Sequence, residues 1–266
     1  MTGVKWWRLI AAAGLAAGGL TGVAYALFTT QSRRARVIIG VPDAPPLRAD
    51  GVYGDHPGRP IRFAVLGDSM AAGLGVDTPE ELPGVLLARA LAEETATPIR
   101  LETYAISGST TDDLPSQVDR VVTDPPDVAL VIIGANDVTT RTPIPRSAAT
   151  LGTQTARLRD AGIGVVVGTC PDLGAIRPIG QPLRAVASEY SHRLARAQRQ
   201  AVLDAGGVPV ALGDLLAAEF TTRSRDYFSR DQFHPSAAGY EAATSILLAP
   251  LYEAVLTHHD DLRHEW

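Results

Sequence analysis

The sequence predicts an α/β protein, a doubly wound three-layer sandwich on a five-stranded parallel sheet. Two observations carry that reading. Short apolar runs that do not alternate with polar residues are each followed by a longer stretch of helical periodicity, the pattern of strands covered by crossover helices on both faces. Polar residues capable of chemistry stand just past the ends of those runs, where sheets of this kind bind ligands.

The elements follow in order. Ile61–Leu66 reads as the first strand and stops at Gly67. Ile99–Tyr104 is the second and runs into Ser107 and Gly108. Val128–Ile133, the most apolar run, stops at Gly134, Val165–Thr169 at Cys170, and Val208–Leu212 at Gly213. Helices are expected at Pro83–Glu94, Thr111–Val122, Pro145–Ala161 and Ala185–Ala205, with Ser236–Leu256 closing the domain. Right-handed crossovers between parallel strands then give the sandwich.

Residues 61–257 hold all of these elements and form the expected domain. Before it, Leu9–Phe28 is an uncharged stretch of 20 residues preceded by Lys5 and Arg8. As a helix it is about 30 Å long, the thickness of a bilayer core. Residues 1–31 are therefore expected to form a membrane anchor, with a secretory signal cleaved after Ala26 as the alternative, since Ala24-Tyr25-Ala26 has the small-x-small form of such sites. Arg33, Arg34 and Arg36 on the far side balance the basic residues in front, so charge gives no orientation. Export or anchoring with the domain outside the cytoplasmic membrane is the expectation. Residues 32–60, rich in Pro and Gly, are expected to be an irregular linker, and residues 258–266 a solvated polar tail.

Composition excludes several functions. A net charge of −5 with scattered Lys and Arg leaves no electrostatic footprint for nucleic acid. Cys170 is the only cysteine, so there is no intrachain disulfide and no thiolate metal cage. It reads as a small buried hydrophobe.

What stands on the expected rim is the equipment of acyl transfer. A serine hydroxyl needs a base to take its proton, and the base needs a third group to hold its tautomer. Ser69 follows the first strand at a sharp turn. His234 is the one histidine expected in a loop beside that rim, because His56 falls in the linker, His192 on a helix and His258, His259 and His264 in the tail. Asp231, three residues earlier, reaches the imidazole from the same loop, and Pro235 suits the first turn of the final helix. The backbone N–H groups of Ser69 and Gly108 and the side-chain amide of Asn136 would supply an oxyanion hole. Asp137 and Asp172 are expected to be structural.

Each piece has a plainer reading alone. Gly67-Asp68-Ser69 is a common turn, His-Pro a common helix entry and Asn136-Asp137 an ordinary Asx turn. Their joint occurrence, in order, at successive strand exits is what those readings fail to explain.

The blocks "AVLGDSMAAG", "YAISGSTT", "IIGANDV" and "DQFHPSAAGY" resemble, in this order, the blocks of the SGNH/GDSL hydrolases. The resemblance covers about Arg62 to Leu256. Many members carry an asparagine before the glycine of the second block, where this chain has Tyr104 and Ala105. The resemblance implies a flavodoxin-like hydrolase fold and cleavage of esters or thioesters without metal or organic cofactor. It assigns Ser69, Asp231 and His234 to the triad and Ser69, Gly108 and Asn136 to the oxyanion hole. The expected substrate is a small-molecule or lipid carboxylic ester. An acetyl ester of an envelope glycan and an acyl thioester are the alternatives. The long, Pro-rich segment "CPDLGAIRPIGQPL" is expected to wall an acyl pocket or to act as a lid. A non-catalytic reading, a flavodoxin-like module cradling phosphate in the loop Gly67–Gly75, lacks the Gly-Lys-Ser/Thr and G-x-G-x-x-G spacings and leaves Asp231 and His234 unused.

Overall fold

In the computed structural model, which describes residues 26–35, 37–40 and 47–264, one sheet organises the chain. Its strands are β1 (Gly51–Tyr53), β2 (Ile61–Gly67), β3 (Ile99–Thr103), β4 (Val128–Ile132), β5 (Gly164–Gly168) and β6 (Val208–Val210). They lie in the order β1-β3-β2-β4-β5-β6. The five parallel strands are those expected. β1 corrects the count: it is a sixth strand, antiparallel to β3, with Val52 opposite Arg100. It lies in the segment read as an irregular linker. The prolines and glycines there mark its ends, and the interior Val52 and Tyr53 cover the edge of β3 that would otherwise be unpaired.

Helices cover both faces. Phe63, Val65, Leu130 and Val166 face a core shared with α1 (Pro83–Thr95) and with α8 (Ala237–His264). The intervening residues Ala64, Leu66, Ala129, Val131, Val165 and Val167 face a second core. That core is completed by α2 (Leu114–Val121), α4 (Ile144–Asp160) and α5 (Leu183–Asp204). This use of both strand faces is why the runs read as continuously apolar. The last helix is longer than its periodicity suggested, its backbone staying helical through His264.

Three further helices were not expected. α3 (Ala135–Thr140) begins directly after β4, and α6 (Leu212–Thr222) and α7 (Ser224–Tyr227) follow β6. β6 is correspondingly shorter than the apolar run: Leu212 belongs to α6, whose Leu212, Leu216 and Phe220 are buried at helical spacing.

Residues 26–35 and 37–39 are also helical. This N-terminal helical segment does not stand off as a linker. Ala35 is buried, and Ile39 packs against the core shared with α1 and α8. The Gln31 side chain spans the start of α5, donating from Nε2 to the Gln181 carbonyl and accepting the Leu183 N–H at 3.2 Å. Among the described residues no helix is long and apolar enough to cross a membrane. The apolar run Leu9–Phe28 lies outside them except for its last three residues.

The strand order puts the functional rim where it is. The chain leaves central β2 to make β3 on one side and later β4 on the other. The loops after β2, β3 and β4 therefore part at a switch point, opening a crevice at their carboxyl ends.

Candidate active site

Gly67 closes β2 with a φ of +131°, and a Cβ there would lie 1.9 Å from the Ile132 carbonyl oxygen. Only glycine fits so close to β4. The buried Gln117 of α2 clamps this residue. Its Oε1 accepts the Gly67 N–H at 2.8 Å, and its Nε2 donates to the Gly67 carbonyl at 2.9 Å and to Ser109 Oγ at 3.2 Å. One amide thus ties the end of β2 to the loop after β3. Asp68 then turns the chain, its Oδ1 accepting the Met70 N–H at 2.9 Å. Burial pushes the Asp68 carboxyl up to about 7, against the N–H groups of Met70 and Gly134 and the nearby His234, which hold it lower.

Ser69, at the head of this turn, meets the loop that precedes α8. His234 Nε2 stands 2.9 Å from Ser69 Oγ, and His234 Nδ1 stands 2.6 Å from Asp231 Oδ2. Both Ser69 and His234 are buried. The other oxygen of Asp231, Oδ1, accepts the Ser229 hydroxyl at 2.8 Å and the N–H groups of Phe233 and His234 at 2.8 and 2.9 Å. Burial alone would raise this carboxyl, but the His234 ring and the two backbone donors outweigh it and hold Asp231 at about 2. The loop is closed by the Ser229 N–H on the His234 carbonyl at 2.8 Å, and Gln232 takes a φ of +58° at its tip. Pro235 is not in the first turn of α8. It precedes Ser236, whose carbonyl accepts the Tyr240 N–H at 2.9 Å, and Tyr240 Oη in turn donates to the Leu74 carbonyl at 2.7 Å. The final helix is thereby tied to the Ser69 loop.

The second flank is built differently. Gly108, with a φ of +87°, lies exposed in the loop after β3, and a Cβ there would meet no protein atom within 4 Å. Backbone conformation, not crowding by the protein, calls for glycine. Asn136, in the first turn of α3, donates from Nδ2 to the Ser109 carbonyl at 2.9 Å. Asp137 beside it is buried and accepts the Thr111 N–H at 3.0 Å, the structural place expected of it. Ser69, Asp231 and His234 are thus joined directly, while Asn136 meets the Gly108 loop through Ser109.

A pocket opens beside Ser69 and His234, walled by Met70, Leu173, Ile176, Leu216, Phe220 and Phe228. Leu173 and Ile176 come from the Pro-rich segment after β5, which forms a wall of the pocket. Leu216 and Phe220 come from α6, which sequence reasoning missed, although Leu212, Leu216 and Phe220 recur every four residues. Gln117 and Ser229 carry no motif that would have singled them out. Cys170 is fully buried, and desolvation lifts its thiol well above the ordinary range.

Residues 65–242 match the sequence pattern of the GDSL-like lipase/acylhydrolase family, about two thirds of the chain and every residue of the site just described. The chain belongs to that family. A GDSL-like esterase of Mycobacterium tuberculosis is 47% identical over an alignment of 263 positions that covers 92% of this chain and 83% of that protein. Among solved structures, an acetylxylan esterase from Geobacillus stearothermophilus superposes with a TM-score of 0.54 at 19% identity, covering 71% of this chain and 93% of its own. A protein from Slackia heliotrinireducens assigned to the SGNH hydrolases does so with a TM-score of 0.52 at 21% identity, covering 72% and 99%. At such identities these two speak for the fold. The chain is an ester hydrolase on the SGNH hydrolase fold.

Proposed function

We propose that this hydrolase cleaves carboxylic esters with an apolar acyl group through an acyl-enzyme on Ser69. The observation that carries the reading is the continuous chain from Ser69 Oγ through His234 to Asp231, with separations of 2.9 and 2.6 Å, beside an apolar pocket. His234 Nε2 takes the hydroxyl proton as Oγ attacks the ester carbonyl. Asp231 holds the proton on Nδ1 and offsets the imidazolium charge. The developing oxyanion is met by the Ser69 and Gly108 N–H groups and by the Asn136 amide N–H that the Ser109 carbonyl does not occupy. Collapse breaks the acyl–oxygen bond, and His234 returns its proton to the departing alcohol. Water then attacks the acyl-enzyme with His234 again as base, releasing the acid and regenerating Ser69.

The apolar wall of Met70, Leu173, Ile176, Leu216 and Phe220 supports an acyl chain on that side. A fluorophosphonate probe should label wild type and not Ser69→Ala. A series of p-nitrophenyl esters, with acetylated glycans and acyl-thioesters beside it, should peak on chains longer than acetyl. A peak on acetyl-glycans would transfer the reading to the acetylesterase class, and retained turnover in Ser69→Ala would remove it altogether.

The run Leu9–Phe28 supports a location at or beyond the cytoplasmic membrane, as anchor or cleaved signal. Sequencing the N-terminus of the protein in membrane and secreted fractions tests it. An intact N-terminus in the soluble intracellular fraction would overturn both forms.

A further inference from the structure

A second cleft adjoins the acyl pocket, sharing Leu173 and Phe233 as wall residues, and Phe233 stacks edge-on against the His234 ring with centroids 4.9 Å apart. Its lining is of another kind. Thr29, Ser32 and Arg33 of the N-terminal helical segment contribute one side, and Thr139, Thr140 and Arg141 at the end of α3 the other. It encloses about 1500 Å³ with its mouth, against about 620 Å³ for the acyl pocket. That leaves room for a polar group larger than a methyl or ethyl alcohol.

The charges in this cleft are unbalanced. In a chain of net charge −5, the described residues lining it include two guanidiniums and no carboxylate. Of the acids beside its lining, Asp137 is buried and accepts the Thr111 N–H, and Asp172 accepts the Gly174 N–H and stands 3.6 Å from His192. Four described arginines pair with carboxylates: Arg62 with Asp124, Arg146 with Asp112, Arg157 with Asp119 and Arg223 with Asp226. Arg33 and Arg141 line the cleft without such a partner among the described residues. Arg141 is also placed with care. It has a φ of +61° at the left-handed cap of α3, the short helix whose first turn carries Asn136, and its N–H donates to the Val138 carbonyl at 3.2 Å. The same element thus carries Asn136 in its first turn and Arg141 at its end, on the wall of the cleft.

We infer that this cleft binds the alcohol side of the ester and selects an anionic group there, a phosphate or a carboxylate, through Arg33 and Arg141. The inference rests on Ser69 being the nucleophile and on the pocket of Met70, Leu216 and Phe220 taking the acyl chain, which leaves the adjoining cleft for the alcohol. Guanidiniums suit both anions because their forked donors match two oxygens at once. Such an arrangement makes the N-terminal helical segment part of the specificity apparatus.

The test uses the full chain and pairs of esters that differ in one charge. Hexanoylglycerol 3-phosphate is compared with hexanoylglycerol, and 4-acetoxybenzoate with 4-acetoxybenzamide, so that phosphate and carboxylate are read separately. Wild type should favour the charged member of at least one pair in kcat/KM. Arg33→Gln and Arg141→Gln should each lower that ratio by about fivefold, the range of a solvent-exposed ion pair, with high salt narrowing it in wild type. The Lys variants should retain most of it. Arg34→Gln, next on the segment but outside the cleft lining, should leave it unchanged. Equal ratios in wild type and both Gln variants would overturn the proposal. Calorimetric binding of the same pairs to Ser69→Ala keeps the two readings apart. A charge preference there that vanishes with the arginines upholds the cleft even if another residue proves to be the nucleophile. Indifference to charge, with neutral esters still turned over by wild type, overturns the cleft and leaves Ser69 in place.

Discussion

The two flanks of Ser69 are held by opposite means. On the base side, Asp231 receives four hydrogen bonds inside one short loop, and His234 is buried between that carboxylate and the serine. On the oxyanion side, Gly108 is exposed and Asn136 is anchored by a single bond to the Ser109 carbonyl. A general base at His234 would have to keep one tautomer and one direction through two proton transfers, which fits surroundings fixed before substrate arrives. Oxyanion donors at Gly108 and Asn136 would act on a charge that exists only in transit, and would gain from lying open where that oxygen appears.

Variants that break the base side should show the largest losses. Ser69→Ala and His234→Ala should each lower kcat by about 10³ or more with the circular dichroism spectrum unchanged. Asp231→Asn should fall short of that, because the imidazole still meets Ser69 but is no longer held in one tautomer. It should also alter the acid limb of stability. The Asp231 carboxyl sits at about 2, below its ordinary value, so its contribution is present above about pH 4 and lost as pH falls toward 2. Denaturation followed across that window should show a shallower decline in the Asn variant.

The oxyanion flank should give the next effect. Asn136→Ala should reduce kcat by about 10²–10³ with little change in KM. A change confined to KM would mean that Asn136 binds the ground state and that the contrast between the flanks is misdrawn. Gln117 joins the flanks, holding both Gly67 and Ser109. Gln117→Leu should lower kcat by about tenfold and cost about 1–3 kcal/mol of stability, the range for leaving buried backbone groups unpaired. Unchanged kcat at reduced stability would make it a purely structural clamp.

Asp68→Asn should have the smallest effect on kcat, since Asn keeps the acceptor for the Met70 N–H. Its mark should be on pH. The folded carboxyl titrates near 7, above the unfolded value of 3.8, so the folded state holds a proton that the unfolded state has lost and stability falls as pH rises between the two. Chemical denaturation of the Asn variant at pH 4 and 7 should show that slope reduced. An identical slope would assign the dependence to another group.

How much of this was legible in the sequence follows from how local each signal is. The central strands β2, β4 and β5 are buried almost throughout and end at or just before a glycine, so each could be read within a few residues. Ser69, Asp231 and His234 could be found because each lies at a strand exit or helix entry with its own short motif. β1 could not: an edge strand of three residues has no periodicity to detect. α3 was hidden in what reads as an Asx turn, and α6 behind the Gly213-Asp214 pair that looked like a strand exit. Gln117 is a single polar residue on an amphipathic helix, and its two partners on Gly67 are 50 residues away. Such long-range pairings leave no local trace.

The N-terminal helical segment has a further consequence, for the order in which properties fail on heating. It is held by the burial of Ala35, the packing of Ile39 and the two hydrogen bonds of Gln31, whereas Ser69 and His234 rest on a sheet packed on both faces. Elements with few buried contacts open locally well below the global melting point. Detachment would take Arg33 from its cleft while Ser69, Asp231 and His234 stayed assembled. Warming should therefore make the enzyme less discriminating before it makes it inactive, and amide exchange over residues 26–35 should quicken before that of β2 and β4 does.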